Sequence, residues 1–429
     1  MLDLHGSAGV PRTGGAKSGP TAAGEGPLGN LGVNGCYRGP VSDTPAFQGG
    51  GPLGDLLRDL ARLLTAQGPI NWEVARQLAL WVATEGQSEP NPAPLARMKT
   101  EELLRVADMH VAEATGMATS RRGWLSLHAV TRGEWAQAAL SAWKEVLTTL
   151  ATSLAGSLGA EQLPDGVPMD QFIGNLPQVI GPLLIGAQAG TMVGHLASQA
   201  MGQYDMPMPA PSSDELLVVP AAVDAFAAEW DLQADDVRMY VCLRDTVYHS
   251  VLCRPHVASA LQGHLLSYAG AFEVPLGSFQ DKLSGLDPTD PLSFQRSLGD
   301  PEALLGEMQS DEQRRLLVPS RAFLSAVSGY ADYFIGKVGQ GLVGSYPLVS
   351  EAFRRRRLED GPGQRVLGKL LGVEVDQAVV DKGHAFVSGV LERAGEEGLA
   401  RLWSSPKTLP TAPEVDAPGL WLARIEMVG

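Results

Sequence analysis

The sequence predicts a mostly α-helical, α+β protein with a small sheet, and three observations carry that reading. Apolar residues recur at helical spacing in most segments after Leu53. One stretch, LLVVP at Leu216–Pro220, has the short β-branched composition of a strand. There is no βαβ alternation, no glycine-rich phosphate loop and no internal repeat, which leaves a mainly helical architecture.

Taken in order, residues 1–50 are rich in Gly, Ala, Pro, Ser and Thr. Such a composition buries too little apolar surface to offset its ordering entropy, so a disordered tail is expected. Residues 51–429 read as a single large domain. LGDLLRDLARLL, from Leu53, places leucines on one helical face. INWEVARQLALWVA does the same with Ile70, Val74, Leu78 and Val82. QSEPNPAP, Gln87 to Pro94, reads as a loop or linker. EELLRVADMHVAEATG runs to a glycine stop signal at Gly116. The alanine-rich run Arg132–Gly159 reads as a long helix, and so does Arg238–Leu252.

Phe172 to Tyr204 carries no formal charge. Its Asn175, Pro177, Pro182, His195 and several glutamines make it a poor membrane span. Gly186, Gly190 and Gly194 recur every four residues, which lets another element approach that helix closely. His195 is expected to pack within it.

The chain has 429 residues and a formal net charge of −15, which disfavours nucleic-acid and anionic-membrane partners. The basic run Arg354–Arg357 reads as a solvated helix end or a set of ion pairs, with an anion site as the lesser alternative. Three cysteines, Cys36, Cys242 and Cys253, form no disulfide framework, and no apolar leader opens the chain. A reduced, cytoplasmic protein is the expectation.

Several segments together resemble the zincin-like metallopeptidase family of bacteria. They are INWEVARQLA, GAQAGTMVGHLASQAMGQYDMPMP, RMYVCLRDTVYHSVLCRPHV, AFLSAVSGYADYF and the stretch from Arg365 to Ile425. The resemblance covers roughly residues 53–425 in the family's order, and it implies a zincin-like fold. It also implies an HExxH helix, whose two histidines hold zinc from one face while the glutamate acts as base. A downstream EGH motif would supply a third ligand.

This sequence departs from that pattern at each of these positions. Arg244 and Tyr248 stand where the histidines would be, and Asp245 where the glutamate would be. His249 comes one residue late, about 100° round the helix. Ser328-Gly329-Tyr330 stands at the EGH position. Arginine has no lone pair for a metal, so no zinc is expected here. Arg244 is expected to fill the former metal cavity and pair with Asp205 or Asp332, because an unpaired buried charge is costly.

Three functions stay open. One is a metal-free pseudoenzyme whose cleft binds an unidentified peptide, protein or small molecule. Another is an active zinc hydrolase with relocated ligands, Asp245 and His249, completed by His256, His264 or His195. The third is a metal-free enzyme built on Arg244, Asp245, Tyr248 and Tyr330, whose donors suit an anion. His256 reads as a cap or loop residue, His384 as part of another helix face, and His110 and His128 as having no evident partner.

Overall fold

The structure is a computed structural model that describes residues 68–121, 123–157, 176–206, 208, 214–272, 310–358 and 368–428. The tail expected over residues 1–50, the leucine run from Leu53 and Cys36 lie outside the described residues. All the described residues fall in one compact unit running Pro52–Gly429.

Helix α1 (Trp72–Ala83) starts at Asn71, whose side chain accepts from the Val74 amide at 3.1 Å. The loop read at QSEPNPAP ends as α2 (Pro94–Thr115) begins, with Pro94 at its first position. Gly116 closes α2 in a left-handed conformation (φ 64°), which a glycine adopts without strain. Strand β1 (Ser126–Ala129) follows. The alanine-rich run then divides at Trp143 into α3 (Arg132–Ala142) and α4 (Lys144–Ser157). The division lets α3 pack on α1 while α4 packs on the later helix α8. Next come α5 (Leu176–Gln199) and strand β2 (Glu215–Val218).

The two strands pair in parallel, Ser126 against Glu215 through Ala129 against Val218. The strand read at Leu216–Pro220 is thus shifted: Pro220 opens α6 (Pro220–Glu229) instead. Its ring presets φ for a helix and it has no amide to give a ladder.

The remaining helices are α7 (Ala234–Leu252), α8 (Pro255–Gly270), α9 (Asp311–Leu342), α10 (Tyr346–Leu358), α11 (Gln377–Ala400), α12 (Ala412–Asp416) and α13 (Pro418–Val428). The fold is mostly helical with a small two-stranded sheet among the described residues. No helix there is long and apolar enough to cross a membrane.

The glycines of α5 explain that helix's place. A Cβ at Gly190 would sit 2.8 Å from the Ala75 Cα, and one at Gly194 would sit 2.6 Å from the Val82 Cβ. Backbone meets backbone along this seam, and α1 answers with buried Ala75, Ala79 and Ala83. His195 is exposed on the far side of α5 rather than packed within it.

Helix α7 is the axis of the molecule. From Met239 to Leu252 every residue is buried, a pattern that requires neighbours on all faces. Helices α2, α6, α8, α9 and α10 supply them, with β2. Cys242 and Cys253 are buried free thiols on this helix and its cap.

Helix α9 starts with a capping box of Ser310 and Gln313. It crosses α11 where Gly329 meets Gly383: a Cβ on Gly329 would lie 2.8 Å from the Gly383 Cα.

Candidate functional site

Tyr240, Arg244 and Tyr248 lie four residues apart on α7, so they form one stripe. The stripe faces a cavity of about 90 Å³ that Asp205, Phe353, Arg356 and Arg357 also line. The Arg244 side chain is 9% exposed. Its Nη1 lies 2.5 Å from Asp205 Oδ1, and its Nη2 lies 2.8 Å from Asp245 Oδ1. The Nε also donates to Asp245 Oδ1 at 2.9 Å. The guanidinium packs over the Phe353 ring, 5.6 Å from its centroid.

The loop Gly202–Asp205 fastens both carboxylates. Asp245 Oδ2 accepts from the Gln203 amide at 2.6 Å, and Asp205 Oδ2 accepts from the Met201 amide at 2.5 Å. Gly202 has to be a glycine here, because a Cβ would sit 2.8 Å from the Asp245 Cγ. The loop is held in turn by a bridge from Gly202 to Val218 of β2 and by the Trp135 Nε1, which donates to the Gly202 carbonyl at 3.0 Å.

Burial pushes the Asp245 carboxyl above the usual carboxylate range, against the pull of Arg244. Burial acts on Asp205 too, but Arg244, Arg356 and the loop amides outweigh it and hold that carboxyl low. Burial and nearby Asp332 raise the Tyr248 phenol, so it stays protonated at neutral pH.

The other sequence-predicted residues divide into separate places. Asp332 does not reach Arg244. It takes both terminal nitrogens of Arg357, at 3.1 and 3.2 Å, and the Nε2 of His384 at 3.1 Å. The hydrogen bond to Asp332 raises the pKa of His384. The Gly329–Gly383 crossing explains the meeting, since Asp332 lies one turn past Gly329 and His384 directly follows Gly383.

Ser328 is buried beside the Tyr248 hydroxyl. Tyr330 turns away into the core, edge-on to Trp403 and with its hydroxyl 3.9 Å from the Met117 sulfur. An enzyme site that uses Tyr330 together with Arg244 is therefore not assembled.

His249 lies off the cavity. Its Nδ1 meets the Tyr204 hydroxyl at 2.9 Å, and its Nε2 lies 3.8 Å from Asp214. Burial drives its pKa down to about 4, so it is neutral at neutral pH. His256 sits in the first turn of α8 rather than capping it, and His264 packs on Phe323. His110 and His128 lie 3.9 and 3.8 Å from Glu113 and Glu215. Among the described residues no three His, Cys, Asp or Glu side chains gather as a metal-binding group.

The sequence reading missed Tyr240 and Phe353, and it took Arg356 and Arg357 first as part of a solvated helix end or a set of ion pairs. A signal existed in helix spacing. Glu351 shares a face with Arg354 and Arg355, which pair with it in the open. Phe353 shares a face with Arg356 and Arg357, which turn to the cavity. The run Arg354–Arg357 is thus half surface ion pairs and half cavity wall.

The segments that make this cavity lie within one match: the zincin-like metallopeptidase family covers residues 70–422. The chain belongs to that family. Helices α7 and α9 both lie within the matched residues. A crystal structure from Chloroflexus aurantiacus, provisionally described as a hydrolase with a novel fold, is similar in fold. The TM-score is 0.54 at 21% identity, over 83% of this chain and 99% of that one. No curated protein matches the chain.

Proposed function

We propose that this family member works without zinc and peptidase chemistry and uses the cavity over α7 to bind a peptide, protein or small molecule. One observation carries the reading. At the first ligand position Arg244 points its guanidinium at Asp205 and Asp245 and ties them together.

The donor set present does not suit zinc. Arginine stays protonated and offers no lone pair. A buried guanidinium would also repel a dication at the same spot. Tyr248, at the second position, would have to lose a proton that burial holds on. Asp245, at the base position, has one oxygen on Arg244 and the other on backbone amides, so it has no lone pair directed at a water. A relocated pair meets the same obstacle at Asp245, which is committed to a cation already in place.

Zinc content of the purified, untagged protein, measured by elemental mass spectrometry after growth in zinc-supplemented medium, tests the proposal. Substoichiometric zinc is the expected result. Near one equivalent, lost in His249→Ala, would overturn it in favour of a metallohydrolase with Asp245 and His249 as ligands.

A further inference from the structure

Three guanidiniums and two phenols gather on the cavity over α7. The carboxylates that meet its arginines are already in use, and Glu374 lines the same space. Asp205 gives Oδ1 to Arg244 and Oδ2 to the Met201 amide. Asp245 gives Oδ1 to Arg244 and Oδ2 to the Gln203 amide. Asp332 gives both oxygens to Arg357, and Oδ2 also to His384.

These contacts take only part of the N–H groups of Arg244 and Arg357, while Arg356 donates to the Gln199 carbonyl and packs over the Phe226 ring. A guanidinium carries five N–H groups. Arg244, Arg356 and Arg357 all line this one space. So do Tyr240 and Tyr248, side chains that are almost wholly buried. The Tyr240 phenol is kept protonated by burial and by the nearby Asp332 charge, so it is a donor. Phe353 and Val373 form an apolar wall on the same space.

The volume sets the size of what can enter. On the scale where one water needs roughly 10–15 Å³, a cavity of about 90 Å³ holds several waters or one compact polyatomic group. A group with several acceptor oxygens and negative charge would satisfy the surplus donors, and guanidinium forks match such oxygens pairwise.

We propose that this cavity is an oxyanion-binding site that takes a carboxylate or phosphoryl group borne by the ligand, held by Arg244, Arg356, Arg357 and the Tyr240 hydroxyl. The inference rests on the metal-free reading above and names the chemistry of the ligand's head. Glu374 also lines the cavity, and its carboxylate repels an anion beside it, so the anionic head has to sit against the arginines.

Isothermal titration with sodium phosphate, and in parallel with sodium benzoate, tests the site on protein of measured zinc content. Sodium chloride at equal ionic strength is the control. Saturable binding of one anion per chain is expected, absent with chloride. Tighter phosphate than benzoate assigns a phosphoryl head, and the reverse assigns a carboxylate.

Tyr240→Phe keeps the ring and removes the donor, and Arg356→Gln removes a half-exposed cation. Each is expected to weaken binding about tenfold while circular dichroism in anion-free buffer stays close to that of the parent. Zinc-free protein that binds neither probe, or binds them equally well in both variants, overturns the oxyanion site alone. Zinc-loaded protein whose anion binding disappears with chelator places the anion on a metal and overturns both proposals.

Discussion

Two close approaches hold this molecule together, and they are chemically opposite. Along the α1–α5 seam, glycines 186, 190 and 194 let one helix backbone lie on another, with alanines filling the gaps. Over α7, Gly202 lets the loop reach Asp245 so that carboxylates and guanidiniums can interlock. Both depend on a missing Cβ. The seam gains contact area between apolar surfaces, whereas the cavity takes charges out of water and must pair every one of them. An apolar seam degrades by degrees when altered, while a buried ion cluster fails when one member goes.

The largest effect should therefore come from the cavity. Arg244→Met keeps volume and strips the cation from two carboxylates, so denaturant unfolding should show a loss of about 3–5 kcal/mol. A second change, Asp245→Leu, should recover part of it. No loss in the single variant would mean that the ion cluster is energetically idle.

Acid should separate the two regions next. His249 has its pKa lowered to about 4 by burial, below its ordinary 6.5. Above pH 6.5 both folded and unfolded forms are neutral there, and this stability is fully present. As pH falls from 6.5 to about 4 the unfolded chain takes up a proton that the folded chain refuses. Stability is lost across that window, roughly 3 kcal/mol in all at about 1.4 kcal/mol per unit. A His249→Gln variant should show a flatter pH–stability curve in the same range. If its slope matches the parent's, another group governs the acid limb.

The seam comes third. Gly190→Ala would place a Cβ against the Ala75 backbone, which cannot move aside as a side-chain tip can. A loss of about 1–3 kcal/mol is expected from overpacking, with no change in zinc content or anion binding. Gly263→Ala on α8, where a Cβ meets open space, is the matched control and should be neutral or slightly stabilising.

The smallest effect belongs to the exposed partner of Asp332. His384 is half-exposed and paired with that carboxylate, so His384→Ala should cost under about 1 kcal/mol. Because that bond raises the His384 pKa, its contribution is full below pH 6.5 and fades as pH rises through the raised value. Thermal melts of parent and variant across pH 5.5–8.5 would show the gap closing toward alkaline pH.

Much of the fold was legible. Helical spacing marked α1, α2 and α7, Gly116 marked a helix end, and the every-fourth-residue glycines announced a seam before its partner was known. Periodicity carries that information because one face of a helix must be apolar or small wherever it packs. Strand β1 was missed, since four residues, SLHA, hold no readable alternation.

The site was legible in part. The family resemblance was legible in the segments themselves, and the need for a carboxylate beside Arg244 followed from its residue type. Which carboxylate it would be did not follow. Asp205 and Asp332 are equally acidic on paper. The α9–α11 crossing at Gly329 and Gly383 sets Asp332 beside His384 and Arg357, while the Gly202 loop sets Asp205 on Arg244. The sequence by itself determined the helices, the seam and the membership of the family, because those depend on residue type and spacing along the chain. Only the tertiary structure decided the pairing of charges and the making of a donor-rich cavity, because an ion pair forms between segments far apart in sequence and depends on ångströms that no spacing encodes.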